Sequence, residues 1–227
     1  MIGRGPRFCQ DERASRLDSS AGRPYDSRVP PARLPRPLIL ASASPRRAGL
    51  LGRLGLTFSI VPSEVEEVRR PGEPPEEFAR RIAREKAFSV ASRVGSGLVI
   101  GCDTIVVVDG EALGKPSDEA EARRMLGRLS GRAHRVISGV AVAEQPGGRM
   151  EDAVVSTKVW FKTLAAGEIE EYVATGEPMD KAGAYGIQEL GMLFVSRIEG
   201  DHNNVVGLPV FTLARILEKF GVRWFGR

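Results

Sequence analysis

The feature that most constrains the fold is an apolar run from Leu98 to Val108. It is rich in β-branched residues and ends at the turn pair Asp109-Gly110, a combination that is typical of a buried β-strand. A membrane-spanning helix needs about 20 apolar residues. This run is far shorter and is interrupted by Asp103, so it predicts a strand in the core of a folded domain and no association with a membrane.

Strands and helices alternate along the rest of the chain, judged from the spacing of apolar residues and from the turn residues between them. The other predicted strands are residues 38–41, 58–61 and 193–198, together with a hairpin of residues 136–143 and 153–161. The predicted helices are residues 45–55, 75–94, 117–129 (with Ser117 as N-cap), 168–175 and 209–220. This order favours an α/β fold around a mixed sheet, and 227 residues favour a single domain.

The positive charge of the chain is concentrated at its beginning. Residues 1–36 contain eight arginines, no lysine and four acidic residues, so they carry the whole net charge of +4 and the remainder balances to zero. Domains that bind nucleic acid usually present a surplus of positive charge to the phosphates. We therefore expect no nucleic-acid partner for the folded part, residues 37–227, and expect residues 1–36 to form a disordered extension rich in arginine and proline.

The cysteine content and the start of the chain both favour a cytoplasmic protein. Cys9 and Cys102 are too few for a disulfide framework, which suits a reducing compartment. The residues after Met1 lack the apolar segment that a secretory signal requires.

The first candidate binding motif is Ser42-Ala43-Ser44-Pro45-Arg46-Arg47. Ser44 is a good N-cap and Pro45 suits the first helical position, so a helix begins where the hydroxyls gather. Two arginines in a first turn oppose the helix dipole unless an anion lies there. Backbone N–H groups, serine hydroxyls and guanidinium groups suit a phosphate. An ordinary capped helix with two solvated arginines remains the alternative at this point.

The second candidate is Asp103, which lies among the β-branched residues of the strand. A buried carboxylate costs several kcal/mol unless it is paired, hydrogen-bonded or bound to metal. At the mouth of a cleft such a residue can hold Mg²⁺ or activate a water molecule. The alternative is that Asp103 only caps a turn at the end of the strand. Cys102 is predicted to be a small core residue, since the sequence suggests no partner base for a catalytic cysteine.

The third group consists of acids and lysines in loop-like contexts, each of which alone is typical of a solvated surface. Carboxylates suit metals that prefer oxygen ligands, and lysines neutralise phosphate charge. The group comprises Glu64, Glu66, Glu67, Lys86 and Lys115. A Walker-type phosphate loop is absent from the sequence, and with only His134 and His202 a histidine-based zinc site is not expected.

Seven segments together resemble the Maf family of nucleotide pyrophosphatases, which were first described as septum-formation inhibitors. They are LILASASPRR (38–47), EVEE (64–67), GCDTIVV (101–107), GKP (114–116), LSGRAH (129–134), MDKAGAYGIQ (179–188) and VVGLPV (205–210). The resemblance runs from about Pro37 to the C-terminus. It implies an elongated mixed β-sheet flanked by helices, with two lobes and a central cleft, similar to inosine triphosphate pyrophosphatases. It also implies a homodimer.

The resemblance implies roles for individual residues. The aspartate that matches Asp103 is the proton acceptor that activates the attacking water. The residues that line the triphosphate and metal site match Ser42, Arg46, Glu66, Lys86 and Lys115. The dTTP/UTP subfamily is matched by Arg46, Thr104 and Gln188, where a hydroxyl and an amide can recognise the edge of a pyrimidine.

From this resemblance we expect the hydrolysis of pyrimidine nucleoside triphosphates, dTTP and UTP, to the monophosphate and pyrophosphate. Mg²⁺ or Mn²⁺ would be held by Glu66, Asp103 and Glu67, while Arg46, Lys86 and Lys115 would neutralise the phosphate charge. Two alternatives remain open: a non-enzymatic regulator of cell division that binds a nucleotide or a partner protein, and an enzyme for purine or modified nucleotides.

Two positions depart from the family pattern. Cys102 stands where alanine is usual, and Glu189 stands where a small residue is common after the GIQ triplet. Neither is expected to contact the reacting atoms, but Glu189 is expected to alter the rim of the base pocket.

Overall fold

The computed structural model describes residues 32–225, which contain seven strands and six α-helices. The strands are β1 (Leu38–Leu40), β2 (Phe58–Ile60), β3 (Gly97–Val108), β4 (Glu111–Leu113), β5 (Ala133–Gln145), β6 (Met150–Phe161) and β7 (Val195–Glu199). The α-helices are α1 (Pro45–Arg53), α2 (Pro75–Ala91), α3 (Glu119–Leu129), α4 (Ala166–Ala174), α5 (His202–Val206) and α6 (Val210–Lys219). Short 3-10 helices cover Glu177–Asp180, Ala182–Ala184 and Leu190–Phe194. Within the described range, no helix combines the length and apolar composition needed to cross a membrane.

Residues 1–31 of the predicted extension, which comprises residues 1–36, lie outside the described residues. From Ala32 onward the chain contacts the domain. Arg33 and Arg223 form an isolated antiparallel bridge, and Leu34 packs against the core. The carbonyl of Pro37 then accepts a hydrogen bond of 2.8 Å from the backbone N–H of Leu98, which aligns the start of β1 with β3.

The strands form one mixed sheet in the order β2-β1-β3-β5-β6-β7, with β4 also paired to β3. β1 runs parallel to β2 and β3, whereas β3, β5, β6 and β7 are successively antiparallel. The long apolar run thus lies in the middle of the sheet, as predicted, and is buried along most of its length. The prediction of an α/β fold around a mixed sheet is confirmed.

One edge of β3 changes its partner midway, and this change opens a cleft. β1 follows this edge only as far as the pair Leu40 and Ile100. The short strand β4 takes the same edge again from Val106 to Val108. Between these two partners, residues 101–105 of β3 have no strand beside them on that edge in the described chain. Asp103 lies at the centre of the gap.

Helix α2 packs on the sheet next to this gap because two glycines let it approach. A Cβ atom at Gly101 would lie 2.1 Å from the carbonyl oxygen of Ala83, and one at Gly139 would lie 2.1 Å from that of Ala79. Gly139 is the register partner of Asp103. Because side chains alternate along a strand, Gly101 and Asp103 share the face that α2 covers. The close packing of α2 on the sheet therefore places this helix directly over Asp103.

The apolar core of the opposite face of the sheet is divided into two clusters, one on each side of the cleft. The first joins β1, α1 and α6 around residues such as Leu40, Leu51 and Leu213. The second joins α3, α4 and β6 around residues such as Leu126 and Val159. Each cluster is the centre of one lobe, and β3 contributes to both.

The element boundaries differ from the predictions at a few places. Ser117 is not the N-cap of α3: Asp118 is, since its side chain accepts a 2.7 Å hydrogen bond from the N–H of Glu121. Ser117 instead donates its own N–H and hydroxyl to the Glu121 carboxylate. The strand predicted from residue 193 begins at Val195, after a 3-10 helix. The short elements β4 and α5, of three and five residues, were not predicted.

Candidate active site

The gap in the sheet opens into a cavity of about 350 Å³ that both lobes line. Most of the residues that sequence reasoning selected meet there, although they come from distant parts of the chain. The predicted residues that line the cavity are Ser42, Arg46, Arg47, Glu67, Lys86, Asp103, Thr104, Lys115 and Gln188. Glu66 is exposed and is not among the lining residues.

Asp103 and Lys86 form a buried ion pair at the base of the cavity. The Lys86 ammonium donates to Asp103 Oδ1 and to Glu67 Oε1, both at 2.7 Å. Asp103 is 2% exposed and Lys86 6% exposed. Among the described residues the second carboxylate oxygen of Asp103, Oδ2, has no hydrogen-bond partner. A buried oxygen of this kind is costly unless a ligand, water or cation completes its contacts.

Glu67 is held as a carboxylate by its neighbours. Burial raises its pKa, but the positive charges of Lys86, Lys115 and Arg47 outweigh this effect and leave the pKa below the ordinary value. Glu67 and Asp103 therefore place two carboxylates around one ammonium group. In the described part of the chain no three His, Cys, Asp or Glu residues are grouped as a metal cluster. Mg²⁺ nevertheless commonly binds through one or two carboxylates with substrate phosphates completing its shell, and the unpartnered Asp103 oxygen fits that role.

Arg47 is fixed on the other side of the cavity by three separate acceptors. Its Nε donates to the carbonyl of Gly207 at 2.9 Å, and its Nη1 donates to Ser42 Oγ at 3.0 Å. Its Nη2 donates to Thr104 Oγ1 at 3.2 Å. An arginine side chain carries five N–H groups, so two remain for a ligand. The Ser42 hydroxyl also accepts from the N–H of Ser44 at 3.2 Å. Ser44 is the N-cap of α1, as predicted, but its side chain makes no capping hydrogen bond.

The Thr104 hydroxyl is held by several hydrogen bonds to surrounding residues. Besides Arg47, its hydroxyl contacts Ser138 Oγ at 2.8 Å and donates to the Gly207 carbonyl at 3.2 Å. The same carbonyl accepts a bond from the thiol of Cys102 at 3.3 Å. Cys102 is fully buried in the core, as expected, and burial raises the pKa of its thiol.

Arg46 reaches across the cleft. Its Nη1 donates to Asp180 Oδ2 at 3.0 Å, which links α1 of one lobe to a 3-10 helix of the other. The neighbouring Lys181 is 6% exposed. The MDKAGAYGIQ segment carries part of the family resemblance, but its residues Asp180, Lys181 and Tyr185, all of which line the cavity, were not predicted as site residues. The sequence signal that could have indicated them is the adjacent pair Asp180-Lys181, which is followed closely by two glycines.

Tyr185, in the cavity wall, is supported from behind by a buried histidine. His134 is 2% exposed, and its Nε2 lies 2.8 Å from the Tyr185 hydroxyl. Burial lowers the pKa of His134 from its ordinary 6.5 to about 4. Between these two values the unfolded chain binds a proton that the folded chain does not, so this group makes stability rise with pH in that window.

We therefore expect the free energy of unfolding to fall by about 1 to 2 kcal/mol between pH 7 and pH 5 because of His134. His134→Gln should remove this part of the fall, because glutamine does not titrate. Urea unfolding of both proteins at the two pH values checks the expectation. Equal pH dependence in the two proteins would show that the buried imidazole is not responsible.

Known proteins resemble the chain over most of its length. The family model described as Maf-like protein matches residues 37–220. The chain is 51% identical over 190 residues to a dTTP/UTP pyrophosphatase of Moorella thermoacetica, covering 84% of this chain and 98% of that protein. It is 50% identical over 184 residues to a dTTP/UTP pyrophosphatase of Vibrio cholerae, covering 81% and 97%. A third relative of the same name, from Dictyoglomus turgidum, is 49% identical over 185 residues, covering 81% and 96%.

Proposed function

The chain belongs to the Maf family, and on that premise we propose that it hydrolyses dTTP and UTP to the nucleoside monophosphate and pyrophosphate. The observation that carries the proposal is the buried Asp103 carboxylate, which lines a cavity together with cationic side chains and has one oxygen, Oδ2, without a described partner. An anionic substrate and a group that accepts a proton are thereby brought to one place.

The hydrolysis divides into proton transfer and displacement at phosphorus. Asp103 Oδ2 accepts a proton from a water molecule, and the resulting hydroxide attacks the α-phosphorus. The bond from the α-phosphorus to the bridging oxygen breaks, and pyrophosphate leaves with the electron pair. Lys86 orients Asp103 through its 2.7 Å contact with Oδ1.

The cationic side chains of the cavity oppose the negative charge of the triphosphate. Arg46 and Arg47 lie in the first turn of α1. The backbone N–H groups of a first helical turn have no acceptors within the helix and can also bind an anion. Lys115 lines the cavity from the loop after β4. Binding of the phosphates by several fixed donors stabilises the charge that develops as pyrophosphate leaves.

We propose that a divalent cation, Mg²⁺ or Mn²⁺, takes part with the substrate. Glu67 would hold it directly, together with phosphate oxygens, and Asp103 would hold it through a water molecule. Such a cation lowers the pKa of bound water and neutralises phosphate charge. Glu66, the third ligand expected from the resemblance, stays a prediction, as do the homodimer and the cytoplasmic location.

The test is the release of pyrophosphate from a panel of nucleoside triphosphates, with Mg²⁺ or Mn²⁺ and with a chelator. We expect turnover of dTTP and UTP that exceeds turnover of purine triphosphates and that the chelator abolishes. Binding of nucleotides without turnover would instead favour a regulatory protein, and a preference for purines would remove the proposed substrate class.

Gln188 is expected to carry part of the preference for pyrimidines. It lines the cavity from the lobe that contains Asp180, and its amide can both donate to and accept from a base edge. Gln188→Ala should lower the ratio of kcat/KM for dTTP over dGTP by about 10- to 100-fold, because the base loses its hydrogen-bond partner. The ratio is measured by competition between the two substrates. An unchanged ratio would exclude Gln188 from base recognition.

A further inference from the structure

Gln188 lies in a segment that has no strand or α-helix of its own to hold it. Residues 185–189 form coil and turns between two short 3-10 helices. A side chain that discriminates between bases must be fixed to a fraction of an ångström and a narrow range of angles. The structure must therefore supply this rigidity through side chains that lie outside the segment.

A single carboxylate binds the C-terminal end of this segment. Glu177 Oε2 accepts the N–H of Leu190 at 3.0 Å, and Glu177 Oε1 accepts the N–H of Gly191 at 3.1 Å. Tyr172, from α4, also donates its hydroxyl to Glu177 Oε1 at 2.7 Å. These are hydrogen bonds to a charged group, which are stronger than neutral ones.

The Tyr172 hydroxyl connects the two ends of the segment. It accepts the N–H of Gly186 at 3.3 Å while it donates to Glu177. Burial, and then the bond to Glu177, raises the pKa of Tyr172, so the phenol stays a donor. The Tyr172 hydroxyl and the Glu177 carboxylate, which are bonded to each other, thus hold the backbone at Gly186 and at Gly191. Gln188 lies between these two positions.

The backbone on both sides of Gln188 is closely packed. A Cβ atom at Gly191 would lie 2.6 Å from the carbonyl oxygen of Gly186 and 2.8 Å from the Tyr172 hydroxyl. A Cβ atom at Gly186 would lie 2.6 Å from Cε of Lys181. Close contacts of this kind fix the backbone on both sides of Gln188.

Lys181 extends the same network to the residue beside Gln188. Its buried ammonium donates to the Glu177 carbonyl at 2.7 Å and to Asp180 Oδ1 at 2.8 Å. It also pairs with Glu189 Oε2 at 2.9 Å. The departure from the family pattern at Glu189 thus gives Lys181 another anionic partner at the rim of the cavity.

We propose that Tyr172 and Glu177 are positioning residues that hold Gln188 for base recognition and so set the preference of the enzyme among nucleotides. The inference rests on the proposed function for the identity of the ligand. It predicts that loosening the segment impairs recognition of the base and leaves recognition of the phosphates unchanged.

The experiment measures equilibrium binding, so that it does not depend on turnover. The ligands are the α,β-imido analogues of dTTP and dGTP and inorganic tripolyphosphate, each in the presence of Mg²⁺. We expect Glu177→Gln to lower the affinity ratio of the dTTP analogue over the dGTP analogue about tenfold, the effect of losing one charge-assisted hydrogen bond. The affinity for tripolyphosphate should stay unchanged. Tyr172→Phe should give the same pattern and provides the test if Glu177→Gln fails to fold.

The control is Glu170→Gln on the same helix as Tyr172. Glu170 pairs only with Arg123 at the surface in the described structure, so its replacement should change none of the three affinities. Combining Glu177→Gln with Gln188→Ala tests whether Glu177 acts through Gln188 or only stabilises the fold. Because residues that act through one another are not additive, the double variant should lose no more selectivity than Gln188→Ala alone.

The inference is overturned by a preserved affinity ratio in Glu177→Gln and Tyr172→Phe, or by an additive loss in the double variant. Failure of the proposed function is a separate result, since it would appear as an absence of dTTP turnover by the wild-type protein. The ratio of analogue affinities is measured whether or not that turnover occurs.

Discussion

Replacing Asp103 by asparagine is expected to lower kcat for dTTP about 10³-fold while the protein stays folded, since general-base catalysis contributes factors of this order. Asparagine keeps an oxygen that can accept from Lys86, but it cannot take a proton from water. Lys86 also retains Glu67, at 2.7 Å, as a charged partner. Single-turnover measurements with dTTP, together with urea unfolding, separate the loss of chemistry from a loss of stability.

The matched control is Asp109→Asn. Asp109 follows the same strand, but its carboxylate is exposed and pairs with Arg132 at the surface. Asparagine tolerates its positive φ of 54°. This variant should keep the wild-type rate. Near-complete activity of Asp103→Asn would mean that another group accepts the proton.

Gly139→Ala is expected to lower the free energy of unfolding by about 3 kcal/mol, at the upper end of the usual cost of overpacking. The new Cβ would lie 2.1 Å from the carbonyl oxygen of Ala79, so the backbone of α2 must move away from β5. Lys86 lies on that helix and Asp103 is the register partner of Gly139. Activity should therefore fall together with stability, and urea unfolding and dTTP turnover measure the two effects.

Gly127→Ala provides the contrast for this prediction. Gly127 lies within α3, and open space surrounds the position that an added methyl group would take. Alanine should raise stability there by about 0.5 to 1 kcal/mol, because it restricts the unfolded chain. Equal responses at the two glycines would show that the contact between α2 and the sheet is not tight.

Local patterns predicted the elements with strong signals of their own. The apolar run from Leu98 to Val108 could only be a buried strand, and Ser44-Pro45 marked the start of α1 within one residue. β4 and α5 were missed because they are too short to show a period. At α3 Ser117 was predicted as the N-cap, and only the geometry shows that Asp118 caps the helix and Ser117 binds Glu121.

The candidate site was predicted in part because Asp103 breaks the apolar pattern of its strand. The family resemblance placed Lys86 in the same site, but the residue pattern alone could not show that it contacts Asp103, since their contact depends on Gly101 and Gly139 lying under α2. Asp180 and Lys181 were missed because charged residues in a turn usually face solvent. Thr104 was expected to read the base, whereas the structure shows its hydroxyl bonded to Arg47, Ser138 and the Gly207 carbonyl.

The central claim, that water attacks the α-phosphorus in this cleft, is tested most directly by hydrolysing dTTP in water enriched in oxygen-18. Mass spectrometry of both products then locates the new oxygen. The mechanism predicts one labelled oxygen in the nucleoside monophosphate and none in pyrophosphate. Label in pyrophosphate, or release of orthophosphate as the first product, would contradict it.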